Sequence, residues 1–142
     1  MADKPTLNKS AMHLVVVTPE ATALDTLAKF VALPLFDGEI GIAPLHSPMI
    51  GRLGYGEMRI TGEDGARKTF YIDGGFVQVA DNVVSVLTNR AIAGDKVDAA
   101  AAAQQVADAK AMHANSDELF AIRDRQLAQG RAQLLVAERA KQ

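Results

Sequence analysis

Between His13 and Ala93 the apolar positions come in short runs of β-branched and aliphatic residues, each closed within several positions by a turn signal. These signals are Thr18-Pro19-Glu20, Asp37-Gly38, Gly54-Tyr55-Gly56, Gly62-Glu63-Asp64-Gly65, Asp73-Gly74-Gly75 and Asp81-Asn82. Such spacing predicts an antiparallel β-sandwich or barrel of roughly eight to ten strands. Phe70 and Ile72 share one face of their run, as do Val77 and Val79, so those faces point inward. Val83-Val84-Ser85-Val86-Leu87 is apolar on both faces, which makes it a central strand or one covered on both sides.

The period changes at Ala91-Ile92-Ala93-Gly94-Asp95, and from Val97 onward there is no glycine before Gly130 and no proline. The chain therefore reads as an α+β protein: a frayed tail at 1–11, a β-sandwich at 12–93 and a helical hairpin at 94–142. The first helix is expected over about 96–113, with Asp95 as its cap and Asp98 adding a second acid at the positive end of the helix dipole. Ala114-Asn115-Ser116 makes the turn, and Ser116 caps a second helix reaching to about Arg139. So short a connection folds the two helices back antiparallel.

On the second helix Phe120, Leu127 and Leu134, with neighbouring Leu119 and Leu135, form a stripe. On the first, Ala99, Ala102, Ala103, Val106 and Ala109 offer small residues to face it. Alanine favours helix but buries about one methyl group, and Gly130 costs a further ~1 kcal/mol in a helix interior. A weakly docked hairpin that can leave its resting place fits these residues. So does a permanently packed one that uses its alanines for close approach.

With 142 residues, 49% of them hydrophobic, the chain has enough for one core with an appendage. A formal charge of −2 weighs against nucleic acid as the main partner. There is no cysteine, hence no disulfide and no thiolate metal site. His13, His46 and His113 stand far apart without ligand spacing, so structural or solvated roles are expected and no metal. No apolar run approaches the ~20 residues of a membrane span. Residues 1–11 have neither a signal core nor an arginine-rich amphipathic pattern, so the chain is expected to stay soluble where it is made.

Asp37 and Glu39 flank Gly38 with no nucleophile or ligand cluster near them, and read as solvated turn carboxylates rather than an acid–base pair. Gly51-Arg52-Leu53-Gly54-Tyr55-Gly56 lacks the strand–turn–helix setting of a dinucleotide loop. No cofactor is implied. From Arg123 to the end, five cations stand against two acids, a basic stretch that commonly forms only a solvated face. Composition alone also admits a free-standing β-sandwich ligand-binding module, although two tyrosines, five phenylalanines and no tryptophan would line its pocket thinly.

One stretch carries more. Asp37-Gly38-Glu39-Ile40-Gly41-Ile42, followed by Pro44, His46 and Pro48, resembles a signature of the epsilon subunit of F-type ATP synthase. Val16-Val17-Thr18-Pro19-Glu20 upstream, and Gly74-Gly75-Phe76-Val77-Gln78-Val79 and Asn82-Val83-Val84-Ser85-Val86-Leu87 downstream, are similar to that family in the same order. The likeness covers about residues 12–142. The chain departs at Leu45, where the family usually has glycine before the histidine.

The resemblance implies a non-catalytic rotor subunit of the central stalk, homologous to the mitochondrial delta subunit. Its sandwich would bind the gamma subunit and the c subunits of the rotor ring, with Asp37, Gly38, Glu39, Ile42 and His46 in a stiff, irregular loop facing the ring. Its helices would regulate ATP hydrolysis, extending so that Arg123, Arg125, Arg131 and Arg139 meet acidic loops of the alpha and beta subunits. It would lie peripherally on the cytoplasmic face of a bacterial inner membrane, attached through partner proteins. Some relatives bind ATP through a motif of Ile or Leu, then Asp, with Arg and Ala following. Here Val97-Asp98-Ala99-Ala100-Ala101-Ala102 keeps Asp98 but has Ala101 in place of the arginine, so weak or absent ATP binding is expected.

Overall fold

The computed structural model describes residues 10–141, so residues 1–9 of the expected tail lie outside the described residues. Ala11, assigned to that tail, is fully buried, and its carbonyl accepts from Asn82 Nδ2 at 2.8 Å. The described residues form seven strands and two helices: β1 (Met12–Val17), β2 (Thr22–Leu35), β3 (Gly38–Ile42), β4 (Met49–Gly62), β5 (Arg67–Ala80), β6 (Val83–Leu87), β7 (Ala91–Ala93), α1 (Ala99–Ala111) and α2 (Asp117–Ala140).

Strands are hydrogen-bonded in the order β1-β6-β5-β4-β2-β3, and β1 also pairs with β2, so the sheet closes on itself into a flattened barrel. All pairings are antiparallel except β1–β6, which is parallel. β6 is thus central, between β1 and β5, with Val84 and Val86 turned into the core. The inward faces expected from alternation are there: Ile72, Val77 and Val79 are buried with Leu14, Val16, Val31, Leu33, Met58 and Val86, and Phe70 packs against them.

The strands are fewer than expected because β2, β4 and β5 each run fourteen residues, and β4 and β5 continue through segments that read as turns. Gly54-Tyr55-Gly56 lies inside β4, where β2 passes so close that a Cβ on Gly54 would stand 2.8 Å from the Leu35 carbonyl oxygen. Asp73-Gly74-Gly75 lies inside β5 and bends it, with φ of +71° and +104° at its two glycines.

In the hairpin, α1 starts later than the sequence predicts. Residues Gly94–Lys96 form a single 3-10 turn, and Asp98 rather than Asp95 is the cap, accepting from the Ala101 amide at 3.0 Å. Ser116 caps α2 as expected, accepting from Leu119 N at 3.2 Å. Gly130 is the crossing point of the two helices, since a Cβ there would stand 2.6 Å from Val106 Cγ2 and 3.1 Å from the Ala102 carbonyl oxygen. Of the expected small face on α1, Ala102 and Ala109 are buried.

The leucine stripe on α2 is only partly buried. Leu127 is covered, but Phe120 and Leu135 are each 46% exposed, and Gln133, Val136 and Ala137 are buried instead. The reason is that α2 has two neighbours, α1 and the β4–β5 face, so its covered side is broader than one stripe.

Candidate functional site

Strand alternation puts Met58, Ile60, Phe70 and Ile72 inside and turns Glu57, Arg59, Tyr71 and Asp73 to the outer face of β4 and β5. There α2 packs over the sheet, and Glu57, Tyr71 and Asp73 are buried while Arg59 stays partly exposed. The Glu57 side chain is only 4% exposed, and its Oε1 accepts from Arg139 Nη1 on α2 at 3.0 Å and from Arg59 Nη1 at 3.5 Å. Its Oε2 is buried with no partner among the described residues.

Asp73 gathers a second set of donors. Oδ1 accepts from the Tyr71 hydroxyl at 2.5 Å and from Gln129 Nε2 on α2 at 3.0 Å, and Oδ2 accepts from Arg90 Nε at 3.3 Å. The Asp73 amide donates to Thr88 Oγ1 at 3.0 Å. Burial, and then the neighbouring carboxylate, push the Tyr71 hydroxyl well above the usual phenol range, so it stays a donor. The Arg90 guanidinium lies 5.6 Å over the Tyr71 ring.

The hairpin is therefore held through a polar seam as well as through Val136 and Ala137. Hydrogen bonds of this kind replace bonds to water and contribute a net ~1 kcal/mol each, and a buried ion pair gives back much of its attraction in desolvation. Docking of this composition is firm in geometry and modest in energy. Asp73→Asn should destabilise the fold by about 1–2 kcal/mol, because the charge-assisted bonds to Tyr71 and Arg90 within the sandwich and to Gln129 across the seam lose strength. A thermal melt should show a fall of roughly 4–8 °C. An unchanged melt would mean that the carboxylate charge contributes nothing there.

The stretch from Phe36 to Pro48 is more ordered than a loop. Phe36 and Asp37 make a tight turn, and Gly38–Ile42 is β3, paired to β2. Asp37, Gly38 and Glu39 are exposed. Ile42 is not available for a contact: it is fully buried in the core opposite Val31, because alternation along β3 turns Ile40 and Ile42 inward and Glu39 outward. Glu39 is bound by Arg59, whose guanidinium holds the carboxyl below the usual carboxylate range. His46 stands beyond β3, with Nδ1 2.7 Å from the Ser47 carbonyl oxygen. Leu45 has φ of +64°, the left-handed backbone for which glycine is suited, and its amide donates to Asn82 Oδ1 at 2.8 Å.

The four arginines do not form one patch. Arg139 is engaged with Glu57, Arg125 and Arg131 are exposed, and Arg123 has its Nε buried without a partner among the described residues. In the segment 97–102, the Asp98 carboxylate serves as the α1 cap and Ala101 supplies its amide to it. No cluster of three or more metal-ligating side chains occurs among the described residues.

A further surface lay unread in the sequence. Phe36, Ile50, Phe76 and Leu87 are 64%, 76%, 57% and 52% exposed. Arg52 pairs with Phe76, which pairs with Leu87, and the Arg52 guanidinium sits 5.5 Å over the Phe36 ring. The signal was the phase of Phe76, out of step with inward Val77 and Val79.

Residues 11–94 match the family described as "ATP synthase, Delta/Epsilon chain, beta-sandwich domain". Among curated relatives, the ATP synthase epsilon chain of Rhodopirellula baltica is 47% identical over 87% of this chain and 96% of its own length. That of Polaromonas naphthalenivorans is 35% identical over 94% and 98%. In fold, the chain is similar to one in the Euglena gracilis mitochondrial ATP synthase, in a structure of OSCP, F1 and c-ring, with a TM-score of 0.81 at 20% identity over 99% of this chain and 91% of that one. It is also similar to one from the central stalk and c-ring of the Tetrahymena thermophila enzyme, with a TM-score of 0.71 at 14% identity over 89% and 96%.

Proposed function

The chain belongs to the ATP synthase delta/epsilon family and is a non-catalytic subunit of that machine, and from this premise we propose how its two parts divide the work. The β-sandwich binds the gamma subunit and the c subunits of the rotor ring, joining catalytic sector to rotor. The exposed apolar row of Phe36, Ile50, Phe76 and Leu87 suits a close protein contact, and the Asp37-Gly38-Glu39 turn with His46 faces the ring. The hairpin regulates ATP hydrolysis, with the docked state seen here and an extended state in which its arginines meet the alpha and beta subunits.

One observation supports this reading: α2 rests on β4 and β5 through the Glu57–Arg139 and Asp73–Gln129 contacts beside only a small apolar contribution from Val136 and Ala137. A switch needs two states within a few kcal/mol, and a polar seam supplies such a gap where a greasy one would not. No helix among the described residues is long and apolar enough to cross a membrane. As a peripheral part of a membrane-associated complex, the chain is held there by its partners, on the cytoplasmic face in this reading. Family membership displaces the free-standing ligand-binding module.

Co-elution tests the proposed partnership. Mixed with gamma subunit and passed over a sizing column, the full chain should emerge with gamma. Emergence of the two as separate peaks at micromolar concentration would overturn it.

A further inference from the structure

Four side chains from three elements form one row of alternating charge: Glu39 on β3, Arg59 and Glu57 on β4, and Arg139 on α2. Arg59 reaches over β2, which lies between β3 and β4. Its Nη2 donates to Glu39 Oε1 at 2.5 Å, and its Nη1 lies 3.3 Å from Glu39 Oε2 and 3.5 Å from Glu57 Oε1. Arg139 Nη1 donates to that same Glu57 oxygen at 3.0 Å. One guanidinium thus holds an exposed turn and a buried carboxylate at once, and the buried carboxylate is the anchor of the hairpin.

We propose that Arg59 couples the Glu39 turn to the hairpin, so that a cationic side chain of a partner engaging Glu39 loosens the C-terminal end of α2. The complete row is neutral, two carboxylates against two guanidiniums. With Glu39 drawn away, Arg59 and Arg139 share the single carboxylate charge of Glu57 and repel each other, and Arg139 is the one free to leave because, in the proposed switch, its helix moves. The charge of Arg139 also acts on Glu39, after the larger effect of Arg59, so the two ends of the row sense each other. The coupling deepens the reading of a movable hairpin and a ring-facing turn, yet it acts within the chain and needs neither ring nor ATPase to be seen.

The chain has no cysteine, so a single one at a buried seam position reports opening by its rate of labelling with a thiol reagent. Ala137, 6% exposed near Arg139, is such a position, and Val136→Cys gives a second reporter should Ala137→Cys fold poorly. In the isolated full chain, Glu39→Gln should raise the labelling rate about two- to fivefold, the range of a single surface charge coupling. Arg139→Gln should raise it at least as much, and Glu39→Gln added to Arg139→Gln should bring no further increase. Glu63→Gln, which removes an exposed acid at the β4–β5 turn, should leave the rate unchanged. An unchanged rate with Glu39→Gln, effects of Glu39→Gln and Arg139→Gln that multiply, or an equal effect of Glu63→Gln would each overturn the proposal. A hairpin that docks and opens but plays no part in hydrolysis would still give the expected rates, which separates this coupling from the regulatory reading.

Discussion

Replacing Gly75 by alanine is expected to lower the melting temperature by more than about 10 °C, or to prevent folding. Gly75 has φ of +104°, and a Cβ built on it would stand 1.8 Å from the Leu87 carbonyl oxygen, 2.8 Å from the Leu87 carbonyl carbon and 2.9 Å from Thr88 Cα. All three atoms are backbone, so no rotamer change relieves the clash. β5 and β6 would have to part where Phe76 pairs with Leu87, in the central strand between β5 and β1. Steric strain and lost pairing together come to about 3 kcal/mol or more, a large share of the 5–15 kcal/mol that holds an ordinary domain. Circular dichroism on heating measures it, and a melt within about 2 °C of the unaltered chain would refute this backbone geometry.

The same three residues show where the sequence was legible and where it was not. Asp73-Gly74-Gly75 has the composition of a turn, and its glycines do take left-handed angles, but they bend a strand that continues on both sides. A turn and a bulge ask for the same residues, so composition alone counted one long strand as two. Alternation was the better guide, since Ile72, Val77 and Val79 are buried and β6 is central. Alternation also corrects the loop assignment, because a strand through Gly38–Ile42 must turn Ile42 inward once Glu39 faces out.

Other features have no local signature. The parallel pairing of β1 with β6 joins segments far apart in the chain, and nothing in either run distinguishes parallel from antiparallel. The seam was hidden for a different reason. Glu57, Asp73 and Gln133 are of types that sequence reading assigns to water, yet Glu57 and Asp73 are buried where α2 packs on the sandwich and Gln133 is buried on α2 itself. Gly130 was read as a weak point of the helix, whereas it is where α1 and α2 approach most closely. Leu45, the departure from the family's usual glycine, keeps the left-handed backbone and is held there by the Asn82 side chain. Non-glycine residues in that region store strain of order 1 kcal/mol, so this turn is restrained by its neighbours rather than by its own preference.

The hairpin now stands between the two readings the sequence allowed. It is docked, with alanines and Gly130 used for close approach between the helices, as the permanent reading required. Its contact with the sandwich adds polar bonds to buried Val136 and Ala137 and includes a carboxylate oxygen with no partner among the described residues, which suits the movable hairpin proposed above. The first property belongs to α1 against α2, and the second to α2 against β4 and β5. In the proposed switch the two helices move as a unit.

The measurement that tests the account most directly is ATP hydrolysis by an alpha, beta and gamma complex, with the full chain and with a chain ending after Gly94. The full chain should suppress hydrolysis on the order of fivefold or more, and the shortened chain should still bind gamma while leaving hydrolysis close to its rate without the subunit. Equal suppression by both would contradict the account, since the brake would then lie in the sandwich and the hairpin would be structural.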